Sequence, residues 1–155
     1  LLAKGLRATH DDPADLEARA ACQHGMWLAI SGAATGRGMG ASHAIGHTLG
    51  GSYGVPHGIT SCITLHATLQ WNRDYSVDRQ TLVSRLVGKR ALPAADVVRD
   101  LVKSLGLPWR LSELLLGASH FRAIAEHTMH DRGIRTNPRP IRNADDIVEI
   151  LELCA

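Results

Sequence analysis

Three closely spaced histidines are the feature of this sequence best suited to chemistry. His43 and His47 are four residues apart, so on a helix both side chains project from one face. His57 follows a Val-Pro turn, where a further helix would begin. A helix, a tight turn and a second helix can therefore bring three imidazoles together. Imidazole is the commonest neutral ligand of zinc, iron and similar divalent metals.

The same spacing has a second interpretation. Histidines four residues apart on a helix often occur by chance, and neighbouring glycines such as Gly46 and Gly50 can serve close packing alone. The zinc-protease pattern would require a glutamate at position 44, which is Ala44. Spacing alone leaves both a metal site and structural histidines open, and structural histidines are the more frequent case.

The elements that must position these histidines are predicted to be helices. Asp12 as N-cap and Pro13 at the first helical position predict a long helix to about Ala34. Asn143 and Asp146 form a capping-box pattern for a last helix through residue 153. Further helices are predicted over 41–49, 57–71, 76–88, 93–106, 111–116 and 119–129.

No alternating strand pattern occurs, so we predict an all-α fold, a bundle-like array of about seven to nine helices. The segment from Arg135 to Arg142 contains two prolines and is predicted to be an extended loop.

Length and composition predict one globular domain. The chain has 155 residues, 45% hydrophobic and 21% charged, enough for a single hydrophobic core. A net charge of +2 is too small to indicate nucleic acid as a partner, and no apolar run of membrane-spanning length occurs. The three cysteines are widely spaced without a CxxC motif, which favours reduced thiols and a cytoplasmic protein. The chain opens on Leu1 in apolar sequence, and we expect further sequence upstream.

The segment from Gly40 to Asn72 resembles the C-terminal signature of the iron-containing (group III) alcohol dehydrogenases, most closely the branch that includes the maleylacetate reductases. Two family metal histidines are fourteen residues apart, as are His43 and His57. The tail, Asn137-Pro138-Arg139-Pro140 before a capped helix, is also similar to this family. The matching motifs are His43, His47, Leu49-Gly50-Gly51, Pro56-His57-Gly58 and Trp71-Asn72.

This resemblance implies a fold and an activity. Residues 1–155 would form one helical metal and substrate domain, the C-terminal domain of the dehydroquinate synthase-like fold, with the N-terminal nucleotide-binding α/β domain absent from this chain. The whole protein would interconvert an alcohol and an aldehyde or ketone by hydride transfer with NAD(P). It would act as a homodimer, with neither nucleic acid nor membrane as a partner.

The resemblance also implies a role for individual residues. His43 and His57 would be ligands of a divalent metal, Fe²⁺ or Zn²⁺. His47 would be the catalytic residue, in the substrate pocket near the nicotinamide, as proton carrier or substrate contact. Close approach of the cofactor and of the other domain would be allowed by three glycines, Gly38, Gly40 and Gly50.

Departures from the family pattern keep two alternatives open. The family has two further metal ligands, an Asp-x-x-x-His pair on an earlier helix, and residues 1–42 contain no such pair. The chain could therefore be a maleylacetate reductase-type enzyme whose histidines act without metal, or a non-enzymatic helical module with structural histidines. Maleylacetate reductases usually have His-His, Cys-His and Pro-His-Ala where this chain has Ser42-His43, Gly46-His47 and Pro56-His57-Gly58, so it is nearer the alcohol dehydrogenase form or belongs to an intermediate group.

The other histidines are interpreted as structural or surface residues. Where the family usually has Pro-His, this chain has His66-Ala67, and we interpret His66 as a core or surface residue. His127 and His130 are three residues apart on a predicted helix, which favours a solvated polar face.

Overall fold

The protein is all-helical. The computed structural model describes residues 1–36 and 38–155, and these ranges contain no strand, which confirms the predicted fold class. Short 3₁₀ turns lie at 73–75, 111–114 and 132–136. The described residues form eight α-helices, within the predicted number: α1 Leu2–Asp11, α2 Leu16–Ala33, α3 Gly40–Tyr53, α4 His57–Trp71, α5 Val77–Leu86, α6 Ala94–Ser104, α7 Ala118–Thr128 and α8 Ala144–Glu152.

The predicted start of the long helix at Asp12 is wrong. Asp12 instead ends α1, where its backbone N–H donates to the carbonyl of Ala8. Its carboxylate accepts the N–H of Ala14 at 2.9 Å, a local turn that delays the next helix. The true N-cap of α2 is Asp15, which accepts the N–H of Ala18 at 3.0 Å. Because both aspartates are suitable N-caps, the sequence placed the N-cap of the long helix three residues before its position in the structure.

Other boundaries were predicted with mixed success. Helix α4 has the predicted limits, and the Asn143–Asp146 capping box of α8 is confirmed. Helix α7 begins after an extended Gly117 and not at Ser119. The segment 111–116 forms only a short 3₁₀ turn. The loop predicted from Arg135 also begins later, because residues 132–136 form another such turn.

Helices α3 and α4 form the central pair of the core. They approach closely because Gly46 faces Thr60: a Cβ built at Gly46 would lie 2.7 Å from the Thr60 hydroxyl. Helices α7 and α8 cover one side of this pair and α6 packs against α4. The fully buried large apolar residues are Ile45, Leu49, Ile63, Leu111, Ile124, Ile147, Ile150 and Leu151.

Two motifs far apart in sequence meet at the start of α3. The side-chain amide of Asn137 donates to the Oδ1 of Asn72 at 2.7 Å, and the side-chain amide of Asn72 donates to the Oδ1 of Asn137 at 3.0 Å. That same oxygen accepts the N–H of Ala41 at 3.2 Å and so satisfies an otherwise unpaired donor of α3. Next to this pair, the Arg139 guanidinium lies 3.8 Å from the centre of the Trp71 ring. The Trp-Asn and Asn-Pro-Arg motifs therefore contact each other and fix the 137–139 segment against the end of α4 and the start of α3.

Helices α1 and α2 form a hairpin beside this core. Ala18 and Gly25 are the α2 residues that are buried, whereas Met26, Trp27, Leu28 and Ile30, here named the α2 apolar surface, are each more than half exposed. A largely apolar groove of about 590 Å³ separates the hairpin from α5 and α6. In the described part of the chain, no helix has the length and apolar character needed to cross a membrane.

Candidate active site

The three histidines singled out by spacing lie together. The ring centres of His43 and His47, one turn apart on α3, are separated by 4.6 Å. His57, the first residue of α4, lies 4.9 Å from His43 and 5.9 Å from His47. The predicted convergence of the three imidazoles is therefore observed, whereas their individual roles stay predictions.

The turn between α3 and α4 causes this convergence. Gly54 ends α3 with a left-handed φ of +67°, and its N–H donates to Gly50 at 3.2 Å. Val55 is buried, and its N–H donates to Leu49 at 3.2 Å. Pro56 then adopts an extended conformation and its carbonyl accepts the first bonds of α4. This short connection reverses the chain direction and places the imidazole of His57 beside the α3 face that carries His43 and His47.

The cluster opens toward solvent on one side. His43 is half-buried, while His47 and His57 are exposed. Burial lowers the pKa of His43, and the neighbouring His47 and His57 lower it further, against a smaller opposing effect of Asp131. His43 is therefore a neutral imidazole near pH 7, the form that can donate a lone pair to a metal.

Sequence reasoning missed Asp131, which contacts this cluster. The Nδ1 of His47 lies 2.7 Å from the Oδ2 of Asp131, and the other carboxylate oxygen accepts the N–H of Gly133 at 2.6 Å. Partial burial raises the pKa of Asp131, but these hydrogen bonds and the electrostatic effect of His47 and His43 together outweigh it and hold the pKa below its usual value. The local Asp-x-Gly pattern predicts only a helix cap, so nothing in the sequence signals a partner 84 residues away.

The three imidazoles do not form a complete metal site by themselves. Within residues 1–36 and 38–155, no group of three or more His, Cys, Asp or Glu side chains is arranged to hold a metal ion. Protein sites for zinc and similar metals normally use three or four protein ligands. His43 and His57 have suitable chemistry and proximity for two ligands, so a metal held here would need further ligands.

Two of the three glycines assigned to cofactor approach are explained by packing within the chain. The side of Gly38 that a Cβ would occupy is filled by Thr136. Gly40 has a φ of +74°, and a Cβ there would lie 3.3 Å from the side-chain oxygen of Asn137. At Gly50 a Cβ would make ordinary contact. A role of these glycines toward NAD(P) stays a prediction.

The burial of His66 and the exposure of His127 and His130 agree with the predictions, but His130 lies in a turn after α7 and not on a helix. His66 is buried, and its Nε2 lies 3.0 Å from the carbonyl of Trp109, so it belongs to the core. His127 and His130 are exposed beside a shallow cleft of about 250 Å³ that also borders His47 and Asp131.

Comparison with known proteins identifies the class. Residues 1–154 match the domain family described as "Fe-containing alcohol dehydrogenase family, C-terminal". The chain therefore belongs to this family, as its C-terminal helical domain. The comparison with curated protein sequences gave no match.

Solved structures with the same fold include two groups of enzymes. A maleylacetate reductase from Rhizobium sp. strain MTP-10005 shares 29% identity with a TM-score of 0.79, covering 98% of this chain and 43% of that one. An iron-containing alcohol dehydrogenase from Corynebacterium glutamicum shares 26% identity with a TM-score of 0.79, covering 98% and 43%. An NADH-dependent butanol dehydrogenase from Thermotoga maritima, at 21% identity, a TM-score of 0.85 and coverage of 99% and 43%, shows the fold alone. The chain thus spans less than half the length of these enzymes.

Proposed function

We propose that this chain is the metal- and substrate-binding half of an NAD(P)-dependent oxidoreductase that interconverts an alcohol and an aldehyde or ketone by hydride transfer. The convergence of His43, His47 and His57 carries the proposal, because a member of the iron-containing alcohol dehydrogenase family here presents three imidazoles on one open face. Such rings can bind a metal and move a proton at neutral pH.

Each histidine has a distinct proposed role. His43 and His57 would hold Fe²⁺ or Zn²⁺, a Lewis acid that polarises a carbonyl oxygen or stabilises an alkoxide when bound. His47, hydrogen-bonded to Asp131 at 2.7 Å, would carry the proton to or from the substrate oxygen. NAD(P) would supply or accept the hydride, with Gly38, Gly40 and Gly50 where it approaches.

The open face favours a second domain as partner. His47 and His57 are exposed, whereas hydride transfer requires a site that excludes water. A nucleotide-binding α/β domain would cover this face, and an Asp-x-x-x-His pair on an earlier helix outside residues 1–155 would contribute the missing ligands. A homodimer in the cytoplasm remains part of this proposal.

A second candidate function is a maleylacetate reductase-type reaction in which the histidines bind substrate and no metal. The incomplete ligand set among the described residues and the 29% identity to the Rhizobium reductase favour it. A purely structural role is disfavoured, because core histidines are buried like His66, whereas His47 and His57 face solvent.

The test uses the complete gene product, assayed for bound metal by elemental analysis and for NAD(P)-dependent turnover with alcohols, aldehydes and maleylacetate. We expect stoichiometric metal, and we expect His43→Ala and His57→Ala to abolish its retention. His47→Ala should keep the metal but slow turnover by about 10²- to 10⁴-fold, the usual contribution of a general acid–base group. His120→Ala, a partly exposed histidine on α7 outside the cluster, is the matched control and should change neither.

The outcomes separate the candidate functions. Turnover that survives complete metal removal would establish the maleylacetate reductase-type alternative. If the complete protein shows neither bound metal nor turnover, only a structural role of the histidines is left. The 155-residue chain alone should hold metal weakly at most and show no turnover. Tight stoichiometric metal in it would reveal further ligands within the chain, first among His10, His24 and the acidic residues between 11 and 15.

A further inference from the structure

The proposed proton carrier is held through one ring nitrogen. Nδ1 of His47 bonds to Asp131, and in the described part of the chain no hydrogen bond engages its Nε2. We propose that Asp131 is a positioning residue that fixes His47 in the Nδ1–H tautomer and leaves Nε2 as the nitrogen that exchanges a proton with the substrate. This inference rests on the proposed role of His47 and adds a residue that the sequence did not indicate.

Asp131 is itself rigidly placed. Its Oδ1 accepts the N–H of Gly133 at 2.6 Å, and its own N–H donates to the carbonyl of Thr128 at 2.9 Å. Gly133 lies directly against α3, since a Cβ there would be 3.4 Å from the Gly40 carbonyl and 3.5 Å from the Ala44 methyl. The carboxylate is therefore fixed relative to the helix that carries His47.

The chemistry of the pair determines the tautomer. An ionised carboxylate has no proton to donate, so the nitrogen that faces it must be the N–H. A neutral imidazole carries one proton, which leaves the lone pair on Nε2. In alcohol oxidation the hydroxyl proton passes to Nε2 while the hydride leaves carbon for NAD(P)⁺, and reduction reverses both transfers. The other tautomer would present an N–H to the alcohol and could not accept its proton.

If the His47–Asp131 pair only stabilised the fold, substitution of Asp131 would have a different effect. The side chains of His47 and Asp131 are 52% and 23% exposed, and an exposed pair of this kind contributes little to stability. If stability were its role, substitution would lower the melting temperature slightly and leave both the tautomer and turnover unchanged.

The first test reads the tautomer in the 155-residue chain. Long-range ¹H–¹⁵N NMR on histidine-labelled protein, with His47 assigned by comparison with His47→Gln, should show Nδ1 protonated and Nε2 unprotonated. Asp131→Asn retains an oxygen for the Gly133 N–H but can turn an amide N–H toward Nδ1, so it should shift His47 toward the Nε2–H tautomer. Asp145→Asn, an exposed acid paired with Arg122, is the matched control and should leave His47 unchanged.

The second test measures turnover of the complete gene product. Asp131→Asn should lower kcat by about 10- to 100-fold, as loss of an orienting carboxylate typically does, with metal content and KM nearly unchanged. An Nε2–H tautomer in the wild type, an unaltered tautomer in Asp131→Asn, or an unchanged kcat would each overturn the inference. If the wild type shows no turnover at all, the proposed function fails, and the tautomer measurement still decides whether Asp131 positions His47.

Discussion

Histidine in this protein occupies two opposite environments. His66 lies inside α4 with 3% of its surface exposed, and its Nε2 donates to the Trp109 carbonyl. Burial lowers the pKa of His66, and this effect outweighs the hydrogen bond to the Trp109 carbonyl, which raises it. His47 and His57 face solvent at the mouth of the histidine cluster. The residue type alone therefore does not distinguish a structural histidine from one available for chemistry.

Acid should destabilise the fold in part through His66. Because its folded-state pKa is below that of the unfolded chain, the unfolded state binds more protons as pH falls below about 6.5. Its stabilising contribution is thus complete above that pH and is lost on acidification. One site can add at most about 1.4 kcal/mol per pH unit to the slope.

Urea unfolding between pH 7.5 and 5.5 measures this slope. His66→Gln, which keeps a donor for the Trp109 carbonyl but cannot titrate, should have a shallower slope than the wild type. Equal slopes for the two proteins would show that the pH dependence arises elsewhere.

At the level of elements, the α3–α4 contact positions the cluster. Gly46 faces the buried Thr60, whose hydroxyl donates to the carbonyl of His57 at 2.7 Å. Gly51 lies on the same helix, and a methyl group added there would meet no atom of a neighbouring element within 4 Å. One helix therefore carries one glycine required by packing and one that is not.

Gly46→Ala should destabilise the fold by about 1–3 kcal/mol, because the added methyl group overpacks the α3–α4 contact. Gly51→Ala should instead stabilise it by about 0.5–1 kcal/mol, because alanine has the higher helix propensity and meets no neighbour. Chemical denaturation of the two variants gives both values. Equal effects, of either sign, would contradict the proposed close approach of α3 and α4.

At the level of the whole molecule, the hairpin of α1 and α2 leaves apolar area uncovered. Trp27 and Ile30, in the α2 apolar surface, are 65% and 61% exposed, and Leu28 borders the groove beside α5 and α6. Large apolar side chains grouped on one exposed surface usually mark an interface.

The chain alone should therefore self-associate in a concentration-dependent manner, measured by sedimentation velocity. Trp27→Lys/Ile30→Lys should shift it toward monomer, because charge disfavours burial of that surface. Gln23→Lys/His24→Lys adds the same charges elsewhere on α2 and is the control. A wild-type chain that stays monomeric at high concentration, or an equal response to both variants, would contradict the prediction.

Local sequence determined the helical fold class, most helix positions and the meeting of His43 with His47. Helix caps, turn residues and i,i+4 spacing act over a few residues, so they can be interpreted without the tertiary structure. The family resemblance likewise depended on continuous segments, chiefly Gly40 to Asn72 and also the Asn137–Pro140 tail. Where local signals competed, as between Asp12 and Asp15, the boundary was predicted wrongly.

Only the tertiary structure decided which distant groups meet. The hydrogen bond of Asp131 with His47 spans 84 residues, the Asn72–Asn137 pair spans 65, and the bond between Ala41 and Asn137 spans 96. The contact of Thr136 with Gly38 is of the same kind. No local pattern encodes such pairs, because they arise only when the whole core packs and fixes how the 132–137 segment lies against α3.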